Sequence, residues 1–494
     1  MLASGIKLIE EGVIYEMKEI LKNILDWLEL KVSYADLRFV QTEKENIEVE
    51  NGILSSYNVS TNRGVGIRVL ADGAWGFAAS NNLDKASLRE TAAKALDIAR
   101  ASALTKKEDI RLAHEDKHID TYITPVTKDP FQINPAEKID LLVKATKIML
   151  KDKVKKSEGS FSFYKTYKIF VSTDGSEIEQ TIFESGGGIA AYAIGEGDFQ
   201  KRSYPSSFGG DYATRGYEFI EEMNLLENAE RVAGEANQLL AAPPAPEGIM
   251  DIVLGGSQLA LQVHESCGHP VELDRVLGKE ISYAGGSFLT LDKLNNFTYG
   301  SPEVTIVADA TVPGGLGTFG YDDEGVPASK SYLVNKGKFV GYLMSREDAF
   351  KLGLKSNGAG RAESWNRIPL VRMTNINLLP EKLELDKLIG EIKEGLYLDY
   401  NKSWSIDDKR LNFQFGTEIA REIKNGKLGK IYKNAVYQGI TPDFWKSCDG
   451  ISSEKYWHIW GVPNCGKGQP GQAMHVAHGT SPARFRKVKV GASK

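Results

Sequence analysis

Cysteine is scarce in this sequence, and that scarcity bears on where the protein works. The 494 residues include three cysteines, Cys267, Cys448 and Cys465. A small and odd number of thiols argues against a disulfide framework and favours a reducing compartment, where a thiolate can persist as a metal ligand. We therefore expect a cytoplasmic protein.

Long apolar runs are also lacking. No segment approaches the roughly 18 consecutive apolar residues of a membrane-spanning helix, and the N-terminus has no apolar run of signal-peptide length. We expect a soluble protein with no membrane partner. Met17 lies just inside the first amphipathic segment, so we expect the residues before it to be an extension of little structural importance. The sequence leaves open whether those residues belong to the native protein.

Positive charge is not in excess. The formal net charge is -5, with lysines and acidic residues interspersed along the chain. Nucleic-acid binding would need a concentrated basic face, so no nucleic-acid partner is expected. The length exceeds what one ordinary core accommodates, which predicts two domains of roughly 200 to 250 residues each.

The first half of the chain predicts antiparallel hairpins with packed helices. Apolar residues from Met17 to Leu28 follow one helix face. Runs of period two then meet at Asn51-Gly52 and Asp72-Gly73, which are typical hairpin turns. A second helix is expected over residues 84–103, and the polar residues 105–133 are expected to form a long surface connection.

A Pro/Ala-rich stretch at residues 243–248 divides the chain. It follows a helix expected over residues 217–240 and cannot itself continue a helix. We predict an N-terminal α+β domain (residues 1–242), a linker (residues 243–248) and a C-terminal domain (residues 249–494). The C-terminal domain is expected to be β-rich and barrel-like, so the fold class is α+β.

The densest chemistry in the chain is the pattern His264-Glu265-x-x-x-His269. Two histidines flanking a glutamate on a helix are typical of hydrolases that bind Zn²⁺ and place a general base beside the bound water. The pattern follows a short strand and two glycines, and Ser257 is expected to cap the helix that carries it. Two core histidines on a buried helix are the alternative interpretation.

The spacing of this pattern requires a distorted helix. Residues five apart on a regular helix are separated by about 140°, so His264 and His269 could not reach one ion. A π-type bulge would bring both onto one face. Gly268 tolerates unusual backbone angles, and Pro270 removes the amide that would bond back to Ser266. The sequence therefore predicts a bulge at this point.

A pair of histidines needs a third protein ligand, and residue type leaves several candidates. Cys267 is too close to both histidines to complete a tetrahedron comfortably, whereas Glu272 and Asp274 could hydrogen-bond a ligand imidazole. The candidates are Cys267, Glu272, Asp274, Cys448, His458, Cys465, His475 and His478.

Taken together, four further segments make the pattern resemble the TldD/PmbA family of metalloproteases. They are residues 64–69, 322–327, 372–375 and 464–469. The resemblance implies one Zn²⁺ held by His264, His269 and Cys465, with Glu265 as general base. It also implies a TldD-type active member that forms a homodimer or pairs with a TldE-type homologue lacking the metal motif. Peptides or unfolded protein segments would be the substrates.

Three other residues are expected around the metal or the substrate: Asp274, Asp323 and Arg372. Arg361 and Arg372 could meet a peptide carboxylate or pair with the acidic residues 322–324, and pairing is favoured. The glycine-rich residues 315–320 match a dinucleotide pattern, but they run into this acidic turn and not into a helix, which argues against a nucleotide site.

The sequence thus predicts a zinc-dependent metallopeptidase in which Glu265 activates a metal-bound water. Two alternatives remain open. One is a metal-dependent amidohydrolase that acts on small N-acyl compounds and not on peptides. The other is a non-catalytic binding subunit with a structural metal, which would normally have four protein ligands.

Overall fold

The first half of the chain alternates helices with long strands. The computed structural model describes the backbone of residues 2–493 and the side chains of residues 16–493. The predicted α+β class is confirmed, with 25% helix and 43% strand. The helices of this half are α1 (Leu2–Glu29), α2 (Lys85–Ala103), α3 (Pro135–Met149), α4 (Glu218–Glu222) and α5 (Leu225–Ala241). The strands are β1 (Tyr34–Glu50), β2 (Ile53–Ala71), β3 (Ala74–Ser80), β4 (Ile119–Ile123), β5 (Val154–Ser172), β6 (Glu177–Gly195), β7 (Asp198–Tyr204) and β8 (Asp211–Ala213).

These eight strands form one sheet. Its main order is β3-β2-β1-β5-β6-β4, and β7 and β8 both pair with β6. The predicted hairpin turns are confirmed: Asn51 and Gly52 have φ of 53° and 76°, and Asp72 and Gly73 have φ of 51° and 73°. Two successive positive φ angles match the right-handed twist of the strands they join.

One face of this sheet is apolar and the other faces the second half of the chain. Leu37 and Phe39 pack beneath α1 and α2, and Ile47 and Val49 pack in the cluster that contains α3 and α5. Because side chains alternate along a strand, the intervening residues of β1 point to the opposite face. There Arg38 meets Asp323 of the second half, with 3.5 Å between its Nη1 and a carboxylate oxygen.

Three expectations for this half need correction or stay open. The connection at residues 105–133 includes β4, which pairs in parallel with β6 and so extends the sheet. The helix expected over residues 217–240 is two helices, since Asn224 has a left-handed φ of 49° between α4 and α5. The expectation for the residues before Met17 falls on side chains outside the described ones.

The second half combines many short strands with short helices. The helices are α6 (Gly256–Val263), α7 (Leu273–Val276), α8 (Ile281–Ala284), α9 (Arg346–Lys351), α10 (Leu385–Gly390) and α11 (Thr441–Lys446). The strands are β9 (Gly248–Leu254), β10 (Ile306–Asp309), β11 (Lys330–Asn335), β12 (Lys338–Phe339), β13 (Gly360–Arg361), β14 (Leu370–Val371), β15 (Ile376–Leu378), β16 (Glu394–Ile406), β17 (Asn412–Lys424), β18 (Lys427–Tyr432), β19 (Ala435–Ile440), β20 (Cys448–Ile451), β21 (His458–Lys467), β22 (Gln472–Thr480) and β23 (Ala483–Ala492).

Five of these strands close into a barrel, as the sequence predicted. The order is β16-β9-β23-β19-β17, and β17 pairs again with β16. Helix α6 follows β9 and packs against the barrel through polar contacts. The Tyr437 hydroxyl on β19 accepts a hydrogen bond from Gln258 and donates one to Gln262, each at 3.0 Å. The motif helix is therefore fixed to the barrel along its length.

The Pro/Ala-rich stretch runs along this barrel. The backbone N–H of Ala245 donates to the Lys433 carbonyl at 3.0 Å, and the Lys433 N–H donates to the Pro243 carbonyl at the same distance. The division into two domains at residues 243–248 stays a prediction. No helix among the described residues is long and apolar enough to cross a membrane.

Candidate metal centre

The predicted bulge lies where the spacing of the motif requires it. Residues His264–Gly268 form one turn of π-helix directly after α6. The N–H of His269 donates to the carbonyl of His264 at 3.2 Å, so residues five apart are stacked along the axis. The two imidazole rings consequently lie on one face, with their centroids 4.9 Å apart. The sequence-based prediction of a π-type distortion is confirmed.

Pro270 and Gly268 act here in different ways. Because Pro270 has no N–H, the Ser266 carbonyl accepts instead from the Tyr299 hydroxyl at 2.8 Å. The expected role of Gly268 is wrong, since its φ is not in the left-handed region. A Cβ at this position would lie 2.3 Å from Sδ of the buried Met373, so glycine permits close packing.

Ser257 does not cap the motif helix, contrary to expectation. The helix begins two residues earlier than expected, at Gly256, with Gly255 at the cap position, and the Ser257 hydroxyl is buried without a hydrogen-bond partner in the described chain. A carboxylate from the barrel does part of this work instead. Asp399 on β16 accepts from the N–H of Gln258 at 3.3 Å. The sequence offered no local signal for a cap that comes from a distant strand.

Cys465 reaches the two histidines from a β-hairpin formed by β21 and β22. A register shift between Val462 and Cys465 interrupts the hairpin, and Cys465 then pairs with Met474. The possible ligand atoms of His264, His269 and Cys465 all lie within 4.8 Å of one another, and all three residues are buried. Between Nε2 of His269 and Sγ of Cys465 the distance is 3.8 Å.

The electrostatic surroundings favour the forms of these side chains that bind metals. Burial lowers the pKa of His264 and lowers that of His269 well below its usual range, so both rings are neutral near pH 7. Burial by itself raises the pKa of the Cys465 thiol, but the charge of Arg372 and the contact with His269 outweigh it and lower that pKa. Neutral imidazoles and a thiolate are the protonation states that ligation requires.

His269 is held from behind by a buried chain of charges. Its Nδ1 lies 3.0 Å from a carboxylate oxygen of Glu272. Lys467 Nζ lies 3.3 Å from the same oxygen and donates to Asp274 at 2.6 Å. A carboxylate on the outer nitrogen of a ligand histidine fixes the ring and its tautomer. Asp274 is therefore linked to the ring by three contacts, through Lys467 and Glu272.

Arg372 and Arg361 do not pair with the acidic turn, contrary to expectation. Arg372 is fully buried and donates to the carbonyls of Cys465 and Gln472, which join the two strands of the hairpin. Arg361 donates to the carbonyls of Met373 and His475 at 2.7 and 2.9 Å. Both guanidinium groups thus support the backbone around Cys465.

The acidic turn pairs with the N-terminal sheet instead. Asp323 accepts from Lys168 at 3.1 Å and from the Ala362 N–H at 2.8 Å. Glu324 accepts from Arg68 at 2.9 Å. Asp323 also lines a cleft of about 450 Å³ between the sheet and the second half of the chain. That cleft is bordered by Met474, the cross-strand neighbour of Cys465.

Glu265 has a partner that sequence reasoning missed. Arg410, in the connection between β16 and β17, donates through Nη1 to the Oε2 of Glu265. Both side chains are largely buried, at 15% and 7% exposure. Within residues 16–493 no hydrogen bond reaches Glu265 Oε1. Nothing in the local sequence around Arg410 marks it, because the contact spans 145 positions.

The remaining candidate ligands lie outside the metal cluster. Cys267 and Cys448 are buried in the core, where burial raises the pKa of each to about 12. His458 contacts Asp211 at 2.7 Å and His475 contacts Glu184 at 2.9 Å. His478 contacts the His264 ring itself and is not a member of the group of three.

Three family models match nearly the whole chain. They are described as PmbA/TldA metallopeptidase domain 1 (residues 35–99), central domain (residues 128–242) and C-terminal domain (residues 247–492). A metalloprotease of Methanocaldococcus jannaschii is 30% identical over 446 residues, covering 90% of this chain and 94% of that protein. The chain therefore belongs to the PmbA/TldD family of metallopeptidases.

Two further relatives extend this comparison. A protein named zinc metalloprotease TldD homolog, from Saccharolobus solfataricus, is 22% identical over 475 residues, covering 94% of this chain and 97% of that one. The crystal structure of TldE from Thermococcus kodakarensis superposes with a TM-score of 0.70 at 16% identity, covering 96% of this chain and all of that one (100%). At that identity the superposition establishes the shared fold.

Proposed function

We propose that this protein is a zinc-dependent metallopeptidase in which His264, His269 and Cys465 hold the ion and Glu265 is the general base. The observation that carries the proposal is the convergence of these side chains. His264 and His269 come from one π-turn, and Cys465 comes from a hairpin 196 positions after His269. Buried polar groups without a metal would be expected to pair with one another more completely.

The donor set fits zinc. Zn²⁺ favours imidazole nitrogen and thiolate sulfur at about 2.0–2.1 and 2.3 Å, which places a nitrogen and a sulfur about 3.6 Å apart in a tetrahedron. The corresponding separation of His269 Nε2 and Cys465 Sγ is 3.8 Å. No fourth donor from the described residues joins the group. Three protein ligands with one open position are typical of a catalytic site, and four ligands of a structural one.

When bound, zinc would polarise the scissile carbonyl and lower the pKa of a water molecule toward neutrality. Glu265 would accept the proton of the attacking water and return it to the leaving amine. Arg410 holds the Oε2 of Glu265, which leaves Oε1 to receive that proton. Closure of the barrel and the hairpin around these side chains limits the access of bulk water.

We propose the cleft beside Met474 as the path by which peptides or unfolded segments reach the centre. It lies between the polar face of the N-terminal sheet and the hairpin that carries Cys465. Thr42, Tyr164 and His475 line it with hydrogen-bonding groups. Such groups suit an extended backbone better than an apolar ligand.

The family resemblance supports pairing with a second chain, either a copy of this one or a TldE-type homologue without the metal motif. The fold of TldE matches 96% of this chain. A cytoplasmic location stays a prediction, supported by the three free, buried cysteines.

A metal-dependent amidohydrolase is the alternative that uses the same donors. It would cleave small N-acyl compounds and leave peptides intact. A purely structural metal is the second alternative, and the absence of a fourth donor among the described residues weighs against it.

The test is the variant Glu265→Gln, assayed for bound zinc and for hydrolysis of an unstructured peptide. Loss of the general base should lower kcat by about 10²- to 10⁴-fold. Bound zinc should stay at one per chain, because Glu265 is not among the three ligands. Hydrolysis at the wild-type rate in this variant would refute the mechanism.

The matched control is Glu45→Gln, which makes the same chemical change in another buried ion pair. Glu45 contacts Lys138 at 2.5 Å in the N-terminal sheet. Its variant is expected to lose stability and to keep the specific activity of its folded fraction. Equal losses of activity in both variants would show that the effect of Glu265→Gln is structural.

A further inference from the structure

His478 on β22 makes a contact that the proposed mechanism does not use. Its Nε2 lies 2.7 Å from Nδ1 of His264, and its own Nδ1 lies 3.1 Å from the carbonyl oxygen of Ile376. All of this is buried, and His478 has no exposed surface. The rings of His264 and His478 lie nearly perpendicular to each other, at 83°, with their centroids 4.8 Å apart.

The hydrogen-bond partners assign the protons. The Ile376 carbonyl can only accept, so His478 carries its proton on Nδ1. In a neutral ring the other nitrogen, Nε2, is then an acceptor, and His264 must donate to it from Nδ1. No acidic side chain of the described residues contacts His478, so nothing there would balance a positive charge on its ring. The lone pair of His264 is consequently on Nε2, the nitrogen that remains for the group with His269 and Cys465.

The two ligand histidines are therefore oriented by different kinds of acceptor. His269 faces the carboxylate of Glu272, whose charge is balanced by Lys467. His264 faces a neutral imidazole, whose other nitrogen is anchored to the first residue of β15. A carboxylate in place of His478 would be buried, and no lysine or arginine of the described residues contacts this position to balance its charge. The neutral imidazole of His478 accepts the hydrogen bond without the free-energy cost of burying an unpaired charge.

We propose that His478 is a positioning residue that fixes the tautomer and orientation of His264 for metal binding. This inference rests on the proposed function, because it assumes that the centre binds zinc. Partners of this kind typically change metal affinity by about 10- to 100-fold when removed. An imidazole that never touches the ion would thereby set how tightly the ion is held.

The experiment compares the full-length wild type with His478→Leu and His478→Gln. Leucine fills a similar space without an acceptor, whereas the amide oxygen of glutamine can accept the bond from His264. Zinc affinity is measured by competition with a chelator, using Zn²⁺ alone. We expect His478→Leu to bind zinc about 10- to 100-fold more weakly and His478→Gln to recover most of the loss.

A second measurement reads the tautomer without metal. In apoprotein labelled with ¹⁵N-histidine, His264 and His478 should each show a protonated Nδ1 and an unprotonated Nε2. In His478→Leu the signals of His264 should shift toward a mixture of tautomers. The control is His458→Leu, which removes a half-exposed histidine from the same hairpin and should alter neither zinc affinity nor the His264 signals.

Two outcomes would overturn the inference while leaving the proposed function standing. One is wild-type zinc affinity in a folded His478→Leu variant. The other is equal weakening in the leucine and glutamine variants with no change in the His264 tautomer. Failure of the wild-type protein to bind zinc would overturn the proposed function and this inference together, so the two failures are distinguishable.

Discussion

The centre is built from two stretches of chain that differ in how far their neighbours lie along the sequence. The helix segment (residues 256–274) supplies His264, Glu265 and His269, and its π-turn forms from its own backbone. The hairpin segment (residues 458–480) supplies Cys465, Lys467 and His478, each of which contacts the helix segment across 190 or more positions. Local chemistry shapes the first segment, whereas the fold places the second.

Besides the candidate ligand Cys465, the hairpin segment carries two residues that support the histidines of the helix segment. Its lysine and histidine support the two imidazoles from opposite sides, through Glu272 in one case and directly in the other. Disturbing the hairpin should therefore affect metal affinity and stability, whereas replacing Glu265, the proposed general base of the helix segment, should affect the reaction rate. Variants in each segment separate the effects on metal affinity, stability and reaction rate.

The largest effect is expected for Cys465→Ala. Removing the only ligand that the hairpin segment contributes should weaken zinc binding by more than the 10- to 100-fold typical of outer partners. The measurement is zinc content after dialysis and affinity by chelator competition. Cys267→Ala is the matched control, because Cys267 lies between the two histidines yet faces the core, where burial raises its pKa to about 12. Weakened binding in Cys267→Ala alone would reverse the assignment.

The next effect concerns Lys467→Met. Its removal leaves Glu272 and Asp274 buried without their shared cation, which should lower the free energy of unfolding by about 3–5 kcal/mol. Chemical denaturation measures this change. Lys455→Met removes a lysine from an exposed pair with Glu384, where solvent screens the charges, and should hardly change the free energy of unfolding. Similar losses of stability in Lys467→Met and Lys455→Met would contradict the stabilising role of the buried contacts between Lys467, Glu272 and Asp274.

Within the helix segment, Gly268→Ala should lower stability through a steric clash. The added Cβ would lie 2.3 Å from Met373 Sδ, and overpacking of this kind costs about 1–3 kcal/mol. Gly234→Ala is the control, since a Cβ on this α5 glycine meets no atom within 4 Å. That variant should gain roughly 0.4–1 kcal/mol. Thermal or chemical unfolding of both variants measures whether the free energy of unfolding falls in Gly268→Ala and rises in Gly234→Ala.

The smallest effect is a pH dependence at the start of the helix segment. Burial raises the pKa of Asp399 to about 6, from an ordinary value of 3.8. The folded state therefore binds this proton more tightly than the unfolded state, and its contribution to stability is complete below about pH 4 and lost as pH rises through 6. Asp399→Asn should remove roughly 1–2 kcal/mol of this dependence between pH 4 and 7. Identical pH profiles of the free energy of unfolding in the wild type and in Asp399→Asn would contradict this prediction.

Much of the fold could be predicted because its signals are local. The turns at Asn51-Gly52 and Asp72-Gly73, the helix ending at Ala103 and the broken helix at His264 all depend on residues within a few positions. Strand β4 was missed because its pairing partner β6 lies far along the chain, and pairing rather than composition defines it. The short helices around α9 and α11 are too brief to show a periodic pattern.

In the site, the local sequence favours the π-turn, because Pro270 has no N–H and the two histidines lie five positions apart. Residue type left eight candidates for the third ligand, the family resemblance indicated Cys465, and the hairpin brings it to the histidines. Tertiary structure alone decided that Gly268 packs on Met373, that Arg410 holds Glu265, and that a histidine instead of a carboxylate supports His264. The physical reason is that hydrogen bonds within a turn depend on neighbouring residues, whereas contacts across 145 to 214 positions depend on barrel closure and hairpin register.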